Sequence, residues 1–67
     1  MKTLFINSDT EELIIQKSKF IDNLHIGDTV TILSKENSII GIFTITDTYI
    51  QGLNYICKVK RKAESIN

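Results

Sequence analysis

Between His25 and Lys62 the chain alternates as β-strands do, and turn-forming residues alone interrupt it. The run TVTIL from Thr29 to Leu33 follows the turn His25-Ile26-Gly27-Asp28. The run IIGIFTIT from Ile39 to Thr46 follows Lys35-Glu36-Asn37-Ser38, and the run YICKV from Tyr55 to Val59 follows Gln51-Gly52. Threonine, valine, isoleucine, phenylalanine and tyrosine suit a pleated, half-buried surface, whereas Gly, Asn and Ser punctuate it. Consecutive antiparallel strands are therefore expected over most of the chain. On strict alternation Ile39, Gly41, Phe43, Ile45, Asp47 and Tyr49 share one face of the long strand, and Ile40, Ile42, Thr44, Thr46 and Thr48 share the other. Gly41 inside that strand predicts a bulge or bend of the kind a curling sheet needs. In the last strand Tyr55, Cys57 and Val59 are expected to point inward, and Lys58, Lys60 and Lys62 outward.

Upstream, Thr3-Leu4-Phe5-Ile6 predicts a first short strand that Asn7-Ser8 ends. Ser8 and Glu11 have capping-box spacing, and Asp9, Glu11 and Glu12 favour a helix N-terminus. That pattern predicts a helix from Asp9 to about Ser18, burying Leu13 and Ile14 with Lys17 along the same edge. Two readings stay open beyond Ser18. The spacing of Leu13, Ile14, Phe20, Ile21 and Leu24 lets the helix run on to Leu24. Alternatively the chain turns near Lys17-Ser18 and forms a short strand over Lys19–Asp22. Gly27 supplies the φ freedom for the turn that follows, and the tail from Ala63 is expected to fray. The fold class is thus mainly β (α+β): a small curled antiparallel sheet or barrel with one N-terminal helix.

The chain of 67 residues is one domain, residues 1–67, with little room for a deep enclosed pocket. Eight Lys and Arg balance eight Asp and Glu, so the molecule as a whole carries no strong field toward nucleic acid or membrane. The distribution is uneven: Asp9, Glu11 and Glu12 make the start acidic, and Lys58, Lys60, Arg61 and Lys62 make the last strand basic. The lone cysteine, Cys57, has no internal disulfide partner and reads as a buried thiol in a reducing compartment. A signal-peptide layout and an apolar run of the roughly 20 residues that cross a bilayer are both missing, so the expected location is the cytoplasm. The lack of proline, with abundant Ile, Lys and Asn, fits an AT-rich gene, and leaves a phage or mobile-element origin open without establishing it.

The order of elements resembles the PUA-like barrels, especially the ASCH and EVE families. Those domains carry a hydrophobic-Gly-Asp-x-Val lead-in to a strand, matched by Ile26-Gly27-Asp28-Thr29-Val30. Their next strand has an Ile-hydrophobic-Gly-Ile pattern, matched by Ile39-Ile40-Gly41-Ile42, and an aromatic shortly after it corresponds to Tyr49. ASCH proteins place a Gly-x-Lys-Thr-hydrophobic-Glu segment upstream. Here Lys17 stands at the glycine, Lys19 matches the lysine, Phe20 replaces the threonine, Ile21 matches the apolar position and Asp22 replaces the glutamate. The resemblance implies RNA or modified-base recognition, and in some ASCH members hydrolysis of an acylated pyrimidine. Loss of the threonine hydroxyl, with a chain too short for the strands that wall a pocket, argues against a residual amidohydrolase using Lys19. The expectation is a protein that is not an enzyme.

Candidate sites follow. Alternation sets Lys58, Lys60 and Lys62 about 6.6 Å apart, near the phosphate spacing of a nucleic-acid strand. Arg61 adds charge, and Tyr49 and Tyr55 could stack bases; lysines on an edge strand that block aggregation are the plainer alternative. Lys19 and Asp22 mark a cleft by analogy, or a solvated pair beside a turn. His25 has no second His or Cys at ligand spacing, so no metal site and no cofactor are expected. The first functional reading is a non-catalytic nucleic-acid-binding module, RNA before DNA. The second is a protein-interaction module, a small phage-type inhibitor or regulator that docks a host protein or pairs with a second copy. It would use an Ile-rich sheet face of Ile40, Ile42, Ile50 and Ile56.

Overall fold

The computed structural model describes residues 1–62, so the tail expected to fray from Ala63 lies outside the described residues. Five strands make up the fold: β1 Lys2–Asn7, β2 Leu13–Lys17, β3 Thr29–Leu33, β4 Ile39–Gln51 and β5 Asn54–Arg61. They form one mixed sheet in the order β2-β1-β5-β4-β3, curled into a half-barrel. β3, β4 and β5 pair antiparallel as their alternation predicts. β1 lies parallel to β5, with Thr3 beside Tyr55 and Phe5 beside Cys57.

The N-terminal helix is not seen: Leu13–Lys17 is a strand antiparallel to β1. The capping-box residues are spent on a turn instead. The Asn7 side-chain oxygen accepts from the N–H groups of Asp9 and Thr10 at 2.8 and 3.1 Å, an Asx-type alternative to helix initiation. Glu11 takes φ 62° and its N–H returns to the Asn7 carbonyl at 2.8 Å. The β-branched run then takes extended backbone: Leu13 and Ile15 pair with Ile6 and Phe5 of β1, and Leu13 is exposed rather than buried. Residues 18–28 are irregular, so neither the helix to Leu24 nor a strand over Lys19–Asp22 forms, although the chain does bend at Ser18.

Three bulges curl the sheet. The registers leave Ile14 unpaired opposite β1, Ile40 opposite β3 and Thr46 opposite β5. Two of them have a packing purpose: Ile14 and Ile40 both turn onto the core of Phe5, Ile32, Phe43, Ile45, Cys57 and Val59. The expected bend at Gly41 falls one residue away, at Ile40. Gly41 itself permits close packing, since a Cβ there would sit 2.6 Å from Arg61 Nη1 and 3.0 Å from the Phe43 ring.

The bulge at Thr46 corrects the face assignment of β4. Past it Thr48 lies opposite buried Cys57, while Asp47 and Tyr49 lie opposite Lys58 and Ile56 on the convex face. Simple alternation breaks wherever one residue is inserted. In β5, Cys57 and Val59 are fully buried and Tyr55 is half-buried. The irregular segment is pinned across the concave side through Thr3, itself fully buried. Its hydroxyl donates to the Lys19 carbonyl at 2.8 Å and accepts from the Ile21 N–H at 3.0 Å.

Candidate functional site

The basic strand is real, but its charges are divided between faces and partners. Lys58 lies on the convex face and donates to both carboxylate oxygens of Glu11, at 2.7 and 2.9 Å. That hydrogen bond is the main reason its ammonium is held above the ordinary lysine range. Asp47 sits directly across the strand pair from it. Lys60 is exposed opposite Thr44, and the Lys62 N–H extends the ladder to the Ile42 carbonyl at 3.0 Å. Arg61 points to the concave side, its guanidinium 5.0 Å from the Phe43 ring centroid. Lys60 and Lys62 therefore keep the expected outward row, Lys58 is engaged by a carboxylate, and Arg61 belongs to the opposite face.

The two tyrosines are likewise separated. Tyr49 is on the convex face beside Ile56. Tyr55 is on the concave side, where its ring meets Phe20 edge-on with centroids 4.9 Å apart. The Ile-rich sheet face does not exist as a single surface, because Ile56 is 2 % exposed. It lies between Leu4 of β1 and Tyr49 of β4, which close over it on the convex side.

Exposed apolar side chains gather instead at the end where β4 turns into β5. Gln51 pairs with Asn54, so Gly52 and Leu53 form a two-residue turn in which Gly52 takes φ 62°. Gly at the first central position with a positive φ matches a type II′ hairpin turn. Leu53 at the second is 84 % exposed. Ile50, 62 % exposed, pairs with Tyr55, and Phe20, 47 % exposed, rests on that same tyrosine. Lys2 is the register partner of Asn54, so Met1 precedes β1 at this same end of the sheet. Residues 48–56 contain no charged side chain, whereas Lys2 and Lys19 stand at the rim. Turn residues are ordinarily polar, so an apolar residue after Gly52 was the available sequence signal for this surface. The contact between Phe20 and Tyr55 had none.

Lys19 and Asp22 have exposed side chains. The nearby groove, about 270 Å³, is lined by other residues: Phe5, Lys17, Ile21, Leu24, Val30 and Ile32 among them. Lys17 crosses its mouth and donates to the Leu33 carbonyl at 2.9 Å, linking the two edge strands. His25 is an exposed turn residue with Nδ1 3.6 Å from an Asp28 oxygen. The Cys57 thiol is buried, and burial pushes it up to about 11, away from thiolate chemistry. Among the described residues no cluster of three or more His, Cys, Asp and Glu side chains could hold a metal ion, and no helix is long and apolar enough to cross a membrane. Comparison with protein-family models, with curated proteins and with solved structures finds no match to this chain.

Proposed function

We propose that this chain is a non-catalytic protein-interaction module that docks through the apolar end of the β4–β5 hairpin. The observation that carries this reading is the gathering of the apolar side chains of Met1, Phe20, Ile50 and Leu53, all at least 47 % exposed. A patch of this kind at one end of a small curled sheet, with cations only at its rim, is the form of a surface that is covered in a complex. The complementary partner offers an apolar cleft edged by carboxylates. A small regulator or inhibitor acting in a reducing cytoplasm fits the free thiol of Cys57. Cross-linking from a residue beside the tip, with and without nuclease treatment, tests the reading. Leu53→Asp and Ile50→Thr should abolish a nuclease-resistant adduct formed by the parent chain; an adduct that survives both changes overturns it.

A second reading is favoured by the run Lys60-Arg61-Lys62, none of which pairs with a carboxylate among the described residues. Here the C-terminal end of β5 contacts a nucleic-acid backbone, RNA first, in line with the PUA-like resemblance. Alanine at Lys60 and Lys62, the two on the convex face, should lower affinity for a single-stranded oligonucleotide and flatten its salt dependence by about 1.4 units of slope. An isotherm that does not move removes this reading and leaves the first standing.

A further inference from the structure

The free edge of β3 has a polarity and a charge order that complement themselves. Among the described residues β3 is an outer strand of the sheet and pairs only with β4. The carbonyl of Ile42 is turned toward β5, where it accepts from the Lys62 N–H at 3.0 Å. In an antiparallel ladder a residue whose polar groups face one neighbour turns them away from the other. Thr31, the register partner of Ile42, therefore presents its own N–H and C=O to the open side. Alternation places Thr29 in the same state. Leu33 has the same orientation, but its outward carbonyl is already engaged by Lys17 of β2, so pairing there requires that lysine to let go.

Edge strands in soluble proteins are blunted by charges, prolines or bulges. From Thr29 to Leu33 there is neither a charged residue nor a proline, and the only bulge lies at the far end, at Ile40. Exposed apolar side chains stand beside this edge as well: Ile39, Ile42, Leu33 and Ile26. The other edge strand, β2, is interrupted by the bulge at Ile14 and ends in Lys17.

We propose that this edge pairs antiparallel with the same edge of a second copy, with Thr31 on the two-fold axis. Thr29 then faces Leu33 of the second copy, and the sheet continues through both molecules. Charge selects this occupant. Asp28 stands at the start of the strand, and Lys17 and Lys35 stand at its end. Antiparallel pairing sets each Asp28 against the other copy's lysines, whereas a parallel partner of the same sequence would oppose like charges. Glu36 lies beyond Lys35 in the turn, and Lys60, Arg61 and Lys62 lie two strands inward from Asp28, about 9.6 Å away at the usual strand spacing. A five-residue ladder makes a small interface, below about 1,200 Å², so the dimer is weak and concentration-dependent.

Sedimentation equilibrium over a wide concentration range is the test. The parent chain should pass from monomer to dimer, and stop there. Thr31→Pro deletes an outward N–H while sparing the β3–β4 ladder, so it should give a monomer with an unchanged melting curve. Thr31→Lys provides the same reading should proline disturb the strand. Asp28→Lys and Lys35→Asp should each weaken association, and the double variant should restore it. A monomer at millimolar concentration in low salt overturns the proposal. So does a dimer unaffected by either Thr31 variant, or a double variant no better than its parents. Leu53→Asp, at the opposite end of the fold, should leave the dimer intact, which separates this inference from the proposed docking surface.

Discussion

The Thr3 hydroxyl joins Lys19 to Ile21: it donates to the carbonyl of one at 2.8 Å and accepts from the N–H of the other at 3.0 Å. A single buried oxygen thus anchors the irregular segment that roofs the concave core. Thr3→Val preserves shape and removes both bonds, leaving backbone groups without partners. The expected cost is about 1–3 kcal/mol, measured as a lower denaturant midpoint at unchanged m. Thr3→Ser should recover most of the loss.

Gly41 provides the space in which Arg61 lies over Phe43. Gly41→Ala would set its Cβ 2.6 Å from Arg61 Nη1 and 3.0 Å from the ring. The guanidinium can swing away, but the buried ring cannot. A destabilisation of about 1–2 kcal/mol is expected, combining the lost cation–π contact with local overpacking. An Arg61→Ala background should reduce it, and a double-mutant cycle reads that coupling.

Glu11 holds Lys58 from across the sheet. Glu11→Gln releases a cation beside Lys60 on the convex face. If the basic end contacts nucleic acid, the salt slope for a single-stranded oligonucleotide should steepen by about 0.7. An unchanged slope separates Lys58 from that surface.

Alkaline stability follows from Cys57 and Lys58. Burial raises the Cys57 thiol from 9.0 to about 11, so between those values the unfolded chain gives up a proton that the folded chain keeps. Stability is therefore undiminished below pH 9 and falls as pH rises toward 11, by on the order of 2 kcal/mol from this group. Lys58, raised above 10.5 by its hydrogen bond with Glu11, contributes in the same direction: its pairing is complete below 10.5 and is lost above. Denaturant midpoints from pH 8 to 11 check this, and Cys57→Ala should flatten the first part of the decline. Iodoacetamide should label the thiol only on unfolding.

The strands β3 and β5 and the turns at Gly27, Asn37 and Gly52 were legible because local chemistry and burial agree there. Asn37 and Gly52 adopt the positive φ that their turn positions require. The N-terminal element was misread because Ser8 and Glu11 satisfy a capping pattern that Asn7 overrides from outside it. Gly41 hinted at the bulge beside it, but no such residue marks the one at Thr46, so the inversion past it was hidden, and with it the outward position of Tyr49. The Glu11–Lys58 pair joins residues 47 positions apart, a separation that alternation cannot express. The basic run could be read as charge, but not as two faces.

Because β5 is wedged between β1 and β4, the last strand among the described residues is the one at the middle of the sheet. Synthesis delivers the β1–β2 hairpin early, yet that hairpin has nothing to rest on until residues more than fifty positions downstream leave the ribosome. Closing so long a loop before any native contact rewards it makes folding slow and all-or-none. Translation stalled ahead of Tyr55 should consequently yield a protease-sensitive nascent chain rather than a stable fragment.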